Sequence, residues 1–135
     1  MFADKVICKL VDGVIDIKEI YQKFYLELDD STGTILIHHG KAKFPGKYIK
    51  DYSKIELYLK VENAEEIIIA KAIEIYDQYR LNKMFVYHSL GTIYKNDPIL
   101  FIAVEGKDRE TAFIGVREML EFIKAEELVG LKECL

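Results

Sequence analysis

Apolar residues occupy every second position between 55 and 61, and the residues between them are polar or amphipathic. This period of two predicts a strand with one buried face and one wet face. Continuous runs of apolar and β-branched residues predict four more strands, at 5–11, 34–39, 83–93 and 99–104. A turn containing Asn96, Asp97 and Pro98 separates the last two, so we expect those two strands to pair as a hairpin.

Apolar residues recur at helical spacing in three further segments, at 17–28, 63–79 and 109–124. Asp16 and Asn63 each stand three residues before a glutamate, which is the spacing of a capping box at a helix N-terminus. Asp108 is most simply the N-cap of the third helix. The predicted order is therefore strand, helix, two strands, helix, two strands, helix.

Neighbouring strands joined by short turns favour antiparallel pairing over a doubly wound parallel sheet. We therefore predict an α+β protein in which helices pack on a mixed, mostly antiparallel sheet. The 135 residues fit one domain that covers the whole chain, 1–135.

Charge and composition exclude several classes of protein. The formal net charge of −4 argues against a general nucleic-acid binder. Since the chain shows neither a signal-peptide pattern nor an apolar run of about 18 residues, we expect no membrane partner. Cys8 and Cys134 lie far apart without the spacing of metal ligands, which fits a reducing cytoplasm and predicts no disulfide framework.

Cations are concentrated in two parts of the chain. Arg109 follows a predicted strand at the start of a helix, where free backbone N–H groups favour an anion, and Lys124 stands at the far end of that helix. The loop 40–53 carries four more cations, Lys41, Lys43, Lys47 and Lys50. These residues suit an anionic substrate. Equally, a helix-end lysine and a lysine-rich loop are ordinary features of a solvated surface.

The histidines do not predict a metal site. His38 and His39 are neighbours on a predicted strand and point to opposite faces, so they cannot bind the same ion. His88 lies inside another strand, where a structural histidine is the simpler interpretation and a supporting role beside a site is the alternative.

Several short segments in the last third of the chain match the pattern of a known family, in the same order and without insertions or deletions from residue 85 to residue 133. They are Val86 to Gly91, Asp97, the strand 99–104, Arg109 with Ala112 and Phe113, Lys124, and Leu131 to Glu133. Upstream, Gly33, Gly40 and Lys43 match two glycines and a cation of the same pattern. Together these segments resemble the family of the large, MoaE-type subunit of molybdopterin synthase.

The resemblance implies an α/β-hammerhead-like fold and a homodimer that binds two small ubiquitin-like subunits, giving a heterotetramer. The partner's C-terminal glycine thiocarboxylate would enter a pocket and donate sulfur to cyclic pyranopterin monophosphate, which becomes molybdopterin. The resemblance implies neither a cofactor nor a metal. It makes Lys124 and Lys132 catalytic, and it assigns substrate binding to Arg109, Lys43, Lys41 and His88.

The chain differs from the family's pattern at several positions. Lys43 replaces an arginine, which exchanges a bidentate guanidinium for a point charge, and Asp108 replaces a histidine. Gly130 and Leu131 occupy the places of a tryptophan and the first of two lysines, so Lys132 matches the second lysine. These differences and the short C-terminus favour an alternative, a relative that binds a ubiquitin-like tail or an anionic ligand without catalysis. A phosphate-binding module is a third hypothesis, which rests on the lysine loop alone.

Overall fold

The computed structural model describes residues 4–135, in which six strands and three helices are found. The strands are β1 (Val6–Asp12), β2 (Thr34–Lys41), β3 (Lys54–Leu59), β4 (Lys83–Ile93), β5 (Pro98–Gly106) and β6 (Val129–Cys134). The helices are α1 (Ile17–Phe24), α2 (Ala64–Gln78) and α3 (Arg109–Lys124). Within residues 4–135, none of the helices has the length and apolar character needed to cross a membrane.

One sheet contains all six strands, and β2, β5, β4, β3 and β6 are neighbours in that order. The long strand β4 carries two partners along one edge. Residues 84–90 pair in parallel with β1, and residues 91–93 pair antiparallel with β3. The other pairs are antiparallel, and β4 and β5 form the expected hairpin. The α+β class and the mostly antiparallel sheet predicted from the sequence are therefore confirmed.

The central strands are buried on both faces because helices cover both sides of the sheet. Val86 and Ile102 face α2 and α3, where they pack in a cluster with Met119. Phe85 and Phe101 face the other way and pack with residues of α1. This double burial explains why β4 and β5 read as continuous apolar runs instead of alternating ones.

The sequence analysis missed β6, which is the outer neighbour of β3. Its six residues include a glycine and two charged side chains, so they carry little apolar signal. The register of the pair places Gly130 opposite Tyr58, and a Cβ atom at Gly130 would lie 2.4 Å from the Tyr58 ring. The strand thus depends on a partner distant in sequence, and a side chain at residue 130 would displace the exposed ring of Tyr58.

Two of the three expected helix caps are present. Asp16 accepts a hydrogen bond from the N–H of Glu19 at 3.1 Å, and Asp108 accepts one from the N–H of Thr111 at 2.9 Å. The capping box predicted at Asn63 is wrong, because the Asn63 side chain makes no capping hydrogen bond. The structural interpretation of Asp108 as an N-cap is confirmed.

Helix α1 ends at Phe24, four residues before the predicted position 28. The segment that follows it is held by a buried ion pair, in which Nζ of Lys83 lies 3.1 Å from Oε2 of Glu105. Lys83 also donates hydrogen bonds to the backbone carbonyls of Phe24, at 2.8 Å, and Glu27. The other carboxylate oxygen of Glu105 accepts from the N–H of Asp29 at 3.0 Å. These contacts compete with a longer helix.

Candidate functional site

A cleft of about 240 Å³ lies where the end of α3 meets β2, β4 and β6. Its walls are largely apolar, and a small number of polar side chains converge on it. These are His38, Lys41, His88, Lys124 and Glu126. An apolar cavity with a few convergent polar groups is the usual form of a small-ligand site. With two lysines against one glutamate, the cleft favours an anion.

Lys124 reaches this cleft because it is the last residue of α3, whose apolar face packs against the sheet. A larger, shallower cavity of about 660 Å³ runs between α3 and β2, and Lys124 lines it as well. Among the contacts of residues 4–135, the Lys124 ammonium has no hydrogen bond or ion pair. Its charge is therefore available to a ligand.

His88 is buried in the wall of the cleft, with 7% of its surface exposed. Its Nδ1 lies 2.7 Å from the carbonyl oxygen of Ser89. Because a carbonyl only accepts, Nδ1 carries the hydrogen and Nε2 is an acceptor. Burial lowers the pKa of His88, and this effect outweighs the opposing hydrogen bond to Ser89. His88 is thus a neutral, oriented imidazole at neutral pH.

A smaller cavity of about 130 Å³ adjoins the cleft beneath the lysine-rich loop. Lys41 lines both cavities, and Lys43 and Lys47 line only the smaller one. Nζ of Lys41 donates a hydrogen bond to Oδ1 of Asn96 at 2.7 Å, which ties it to the β4–β5 turn. The structure therefore brings Lys41, His88 and Lys124 to one cleft, with Lys43 next to it.

The lysine-rich loop is held by Glu133 of β6, a contact that the sequence analysis did not foresee. The Glu133 carboxylate accepts hydrogen bonds from three successive backbone N–H groups, those of Lys47 at 2.9 Å, Tyr48 at 2.7 Å and Ile49 at 2.6 Å. Burial alone would raise the pKa of Glu133, but these bonds and the charge of Lys43 outweigh it and lower the pKa. The ionised carboxylate fixes the loop beside the cleft.

Replacing Glu133 by Gln should loosen this loop. A hydrogen bond to a charged group contributes about 1.5 to 3 kcal/mol and a neutral one about half as much. We therefore expect amide hydrogens of residues 47–49 to exchange at least about tenfold faster in Glu133→Gln, as measured by hydrogen exchange. Glu127→Gln, at an exposed position nearby, is the matched control and should leave their exchange unchanged.

The same contact predicts a pH dependence. Since the folded pKa of Glu133 is lowered, its stabilisation is complete above the ordinary glutamate pKa of about 4.3 and is lost as the pH falls through the folded value. Protection of the loop amides, corrected for intrinsic exchange, should fall in that acid range in the wild type and not in Glu133→Gln. Equal pH dependence in the two proteins would contradict this account of the loop.

Two of the candidate residues lie away from the cleft. On β6, Leu131 and Glu133 face the cavities, so the intervening Lys132 faces the opposite side, where it is exposed and pairs in register with Glu56. Arg109 is the first residue of α3 and Lys124 the last. Fifteen helical steps separate their Cα atoms by about 22 Å. Neither Lys132 nor Arg109 can share a ligand with Lys124 in this cleft.

Leu131 lines both cavities at the position where the sequence resemblance expects a lysine. Gly130 lies beside it in the cleft wall, against the ring of Tyr58. The cleft therefore has an apolar wall at this point, and its cations come from β2 and α3. Within residues 4–135, no three His, Cys, Asp or Glu side chains come together as metal ligands.

The fold and this cleft define a class of protein, an α+β domain with an anion-favouring cleft between a helix end and the edge of a mixed sheet. The chain belongs to the MoaE protein family, whose model matches residues 10–126. The family predicted from the sequence is therefore confirmed. The matched residues include Lys41, Lys43, His88, Arg109 and Lys124, and they end before β6.

Solved structures with the same fold include molybdopterin synthase from Staphylococcus aureus, with 21% identity and a TM-score of 0.78 over 93% of this chain and 88% of that one. Molybdopterin cofactor biosynthesis protein E from Burkholderia multivorans has 16% identity and a TM-score of 0.77, over 97% and 84%. A complex of subunits 1 and 2 of molybdopterin-converting factor from Helicobacter pylori has 15% identity and a TM-score of 0.75, over 93% and 83%. A search of curated proteins finds no significant match.

Proposed function

We propose that this chain is the large subunit of a molybdopterin synthase. It would transfer sulfur from the C-terminal thiocarboxylate of a small ubiquitin-like subunit to cyclic pyranopterin monophosphate. Membership of the MoaE family and the fold shared with molybdopterin synthase structures support this role. The observation that carries the proposal is the unpaired ammonium of Lys124 in a cleft with Lys41 and His88.

In this proposal Lys124 is the catalytic residue. The thiocarboxylate sulfur would form a C–S bond to the pyranopterin in place of a C–O bond, which gives a thioester. Water would then break the acyl C–S bond, so that the tail leaves as a carboxylate and negative charge develops on the acyl oxygens. An ammonium already held in a partly apolar cleft stabilises that charge without reorganising. The same amine would alternatively serve as a nucleophile or proton carrier. The sulfur comes from the partner, so the proposed reaction requires neither an organic cofactor nor a metal.

Lys41 and Lys43 are proposed to bind the anionic groups of the reactants, the phosphate of the pyranopterin and the terminal region of the partner's tail. The positions of the two side chains support these roles, because Lys41 lines the cleft and Lys43 lines the cavity that adjoins it. Glu133 assists indirectly, since it holds the loop that carries Lys43 and Lys47. His88 would contribute a neutral acceptor in the wall.

Arg109 fits this scheme only through a second copy of the chain, because it lies at the opposite end of α3 from Lys124. A homodimer, as proposed from the sequence resemblance, allows one protomer to bring its Arg109 to the cleft of the other. Lys132 is exposed on the far face of β6, which makes it the weaker of the two catalytic candidates.

The alternative function is a relative that binds the partner's tail without transferring sulfur. Leu131 favours it, because an apolar side chain lines the cleft where the family resemblance expects a cation. Leu131→Lys tests the two functions against each other. In a synthase that works through Lys124, we expect the added cation to raise turnover by about tenfold. Product formation only in the variant, with none from the wild type, would establish the alternative.

Complementation tests the proposed function in a cell. A bacterium that lacks its own large subunit would receive this chain together with a small subunit, and its molybdopterin content would be measured. The proposal predicts that molybdopterin is restored by the wild type and not by Lys124→Ala. Failure by a wild-type chain that is expressed and bound to the small subunit would count against sulfur transfer.

A further inference from the structure

His38 has a position in the cleft that the proposed chemistry has not used. It lies on β2 and lines both the cleft and the larger cavity beside it, as Lys124 does. The register of the sheet puts His38 and His88 on the same face, since His38 pairs with Ile102 and His88 pairs with Leu100. Its neighbour His39 faces the other side, where its ring contacts Phe101.

Charged and titratable groups reach His38 from its own strand and from the elements packed on it. These groups are His39 and Lys41 of β2, His88 of β4, Arg117, Glu121 and Lys124 of α3, and Glu126 of the following turn. Arg117 and Glu121 neutralise each other across 3.0 Å. The remaining charged side chains are two lysines, Lys41 and Lys124, and one glutamate, Glu126. The surroundings of His38 therefore carry a net positive charge.

These surroundings favour the neutral form of His38. Burial of the ring lowers its pKa first, and the charges of Lys124 and His39 lower it further. The contribution of Lys124 is sensitive to a ligand, because Lys124 and His38 line the same cavities. An anion between His38 and Lys124 would offset the positive charge that opposes protonation, and it would accept a hydrogen bond from the protonated ring.

We propose that His38 is a further anion-binding residue of the cleft, which takes up a proton from solvent when a phosphate or carboxylate group binds beside Lys124. The neutral imidazole gains one proton on binding and returns it on release, so no other reactant is needed. His38 thereby supplies a second cation to a cleft that has Leu131 in its wall. The inference rests on the proposed function, whose substrates are anionic. It adds that His38 takes part in binding them and is protonated when they bind.

The test follows the three histidine rings of the full-length protein by NMR, since the chain has only three. The pH is varied with and without sulfate, a phosphate-like anion that does not titrate near neutrality. We expect sulfate to raise the pKa of His38 by about one pH unit and to bind severalfold more tightly near pH 5.5 than near pH 8, with about tenfold as the upper limit. The ring of His39 lies on the opposite face, so its NMR signals should not respond to sulfate.

Variants separate this proton uptake from general charge effects. His38→Gln keeps a polar side chain without titrating, so its affinity for sulfate should depend little on pH. His39→Gln is the matched control: it removes a charge that lowers the pKa of His38, so that pKa should rise slightly, but its response to sulfate should remain that of the wild type. In Lys124→Met, the pKa of His38 without sulfate should move back toward the ordinary histidine value, and sulfate should bind more weakly.

A second arm replaces sulfate with an acetylated peptide ending in Gly-Gly, which offers a carboxylate like that of a partner's tail. A shift of the His38 titration by either probe supports the inference, and the stronger probe identifies the anion that occupies this position. If neither probe moves the His38 titration in the wild type, the inference is overturned. Neither arm measures molybdopterin, so this outcome is distinct from failure of the proposed sulfur transfer.

Discussion

Lys124→Ala should abolish molybdopterin formation and leave binding of the small subunit nearly unchanged. The reason is that this ammonium is unpaired within residues 4–135 and lines both the cleft and the larger cavity between α3 and β2. Removing one preorganised charge-stabilising group typically lowers turnover by about a hundredfold to a thousandfold. The measurement is product formed per minute at a saturating concentration of thiocarboxylated partner, together with the partner's dissociation constant.

Lys132→Ala is the matched control for this loss, because it removes the other lysine that the sequence makes catalytic. Its side chain is exposed on the opposite face of β6, so we expect less than about a twofold change in turnover. A third variant, Lys124→Arg, keeps a charge and tests whether the shape and the nucleophilic nitrogen of an amine are needed. Full activity in Lys124→Ala, or a larger loss in Lys132→Ala, would contradict the assignment of Lys124.

Lys83→Met should destabilise the fold more than any change in the cleft. Lys83 and Glu105 are both buried, with 5% and 0% of their side chains exposed, and their charged atoms lie 3.1 Å apart. Removing the lysine leaves the carboxylate without its counter-charge, and such changes cost about 3 to 5 kcal/mol. The free energy of unfolding from urea denaturation should fall by that amount.

The surface pair of Lys54 and Glu56 offers a matched control, since its atoms lie 3.6 Å apart and its side chains are 46% and 35% exposed. Lys54→Met should change the free energy of unfolding by less than about 1 kcal/mol. Adding Glu105→Gln to Lys83→Met should recover part of the loss, because the unpaired charge is removed as well. Similar losses in Lys83→Met and Lys54→Met would show that the buried pair does not hold the fold in this way.

Much of the fold is predictable because local pattern and tertiary burial agree in it. Strand β4 begins at residue 83 and ends at residue 93, as predicted, since helices cover both of its faces. Helix α3 ends at the predicted residue, and the cap at its start is present. In these elements the sequence pattern and the packing favour the same structure.

The missed features depend on contacts between residues distant in sequence. Strand β6 pairs with β3 about 75 positions away, and the ring of Tyr58 lies against Gly130. The early end of α1 follows from the pair of Lys83 and Glu105, which binds the segment after Phe24. The spacing of apolar residues carries no information about such long-range contacts. No local pattern could therefore have predicted strand β6 or the end of α1.

The candidate site divides in the same way. The resemblance drew attention to Lys124, Lys41 and His88, which the fold brings to one cleft. It could not place Lys132 on the far face of β6, because the strand itself was not recognised. His38 was considered only as a metal ligand. The alternation of side chains along β2 predicts which face of the sheet His38 lies on. It does not predict that α3 packs on that face, which only the folded structure shows.

Molybdopterin formation by the purified wild-type chain is the measurement that decides whether this protein is a synthase. The protein is mixed with cyclic pyranopterin monophosphate and a thiocarboxylated small subunit that it is shown to bind. If the chain is a synthase, molybdopterin should form in proportion to the thiocarboxylate consumed. None should form when the small subunit ends in an ordinary carboxylate. No product from a complex that binds the tail would contradict the claim and identify the chain as a binding relative of the enzyme.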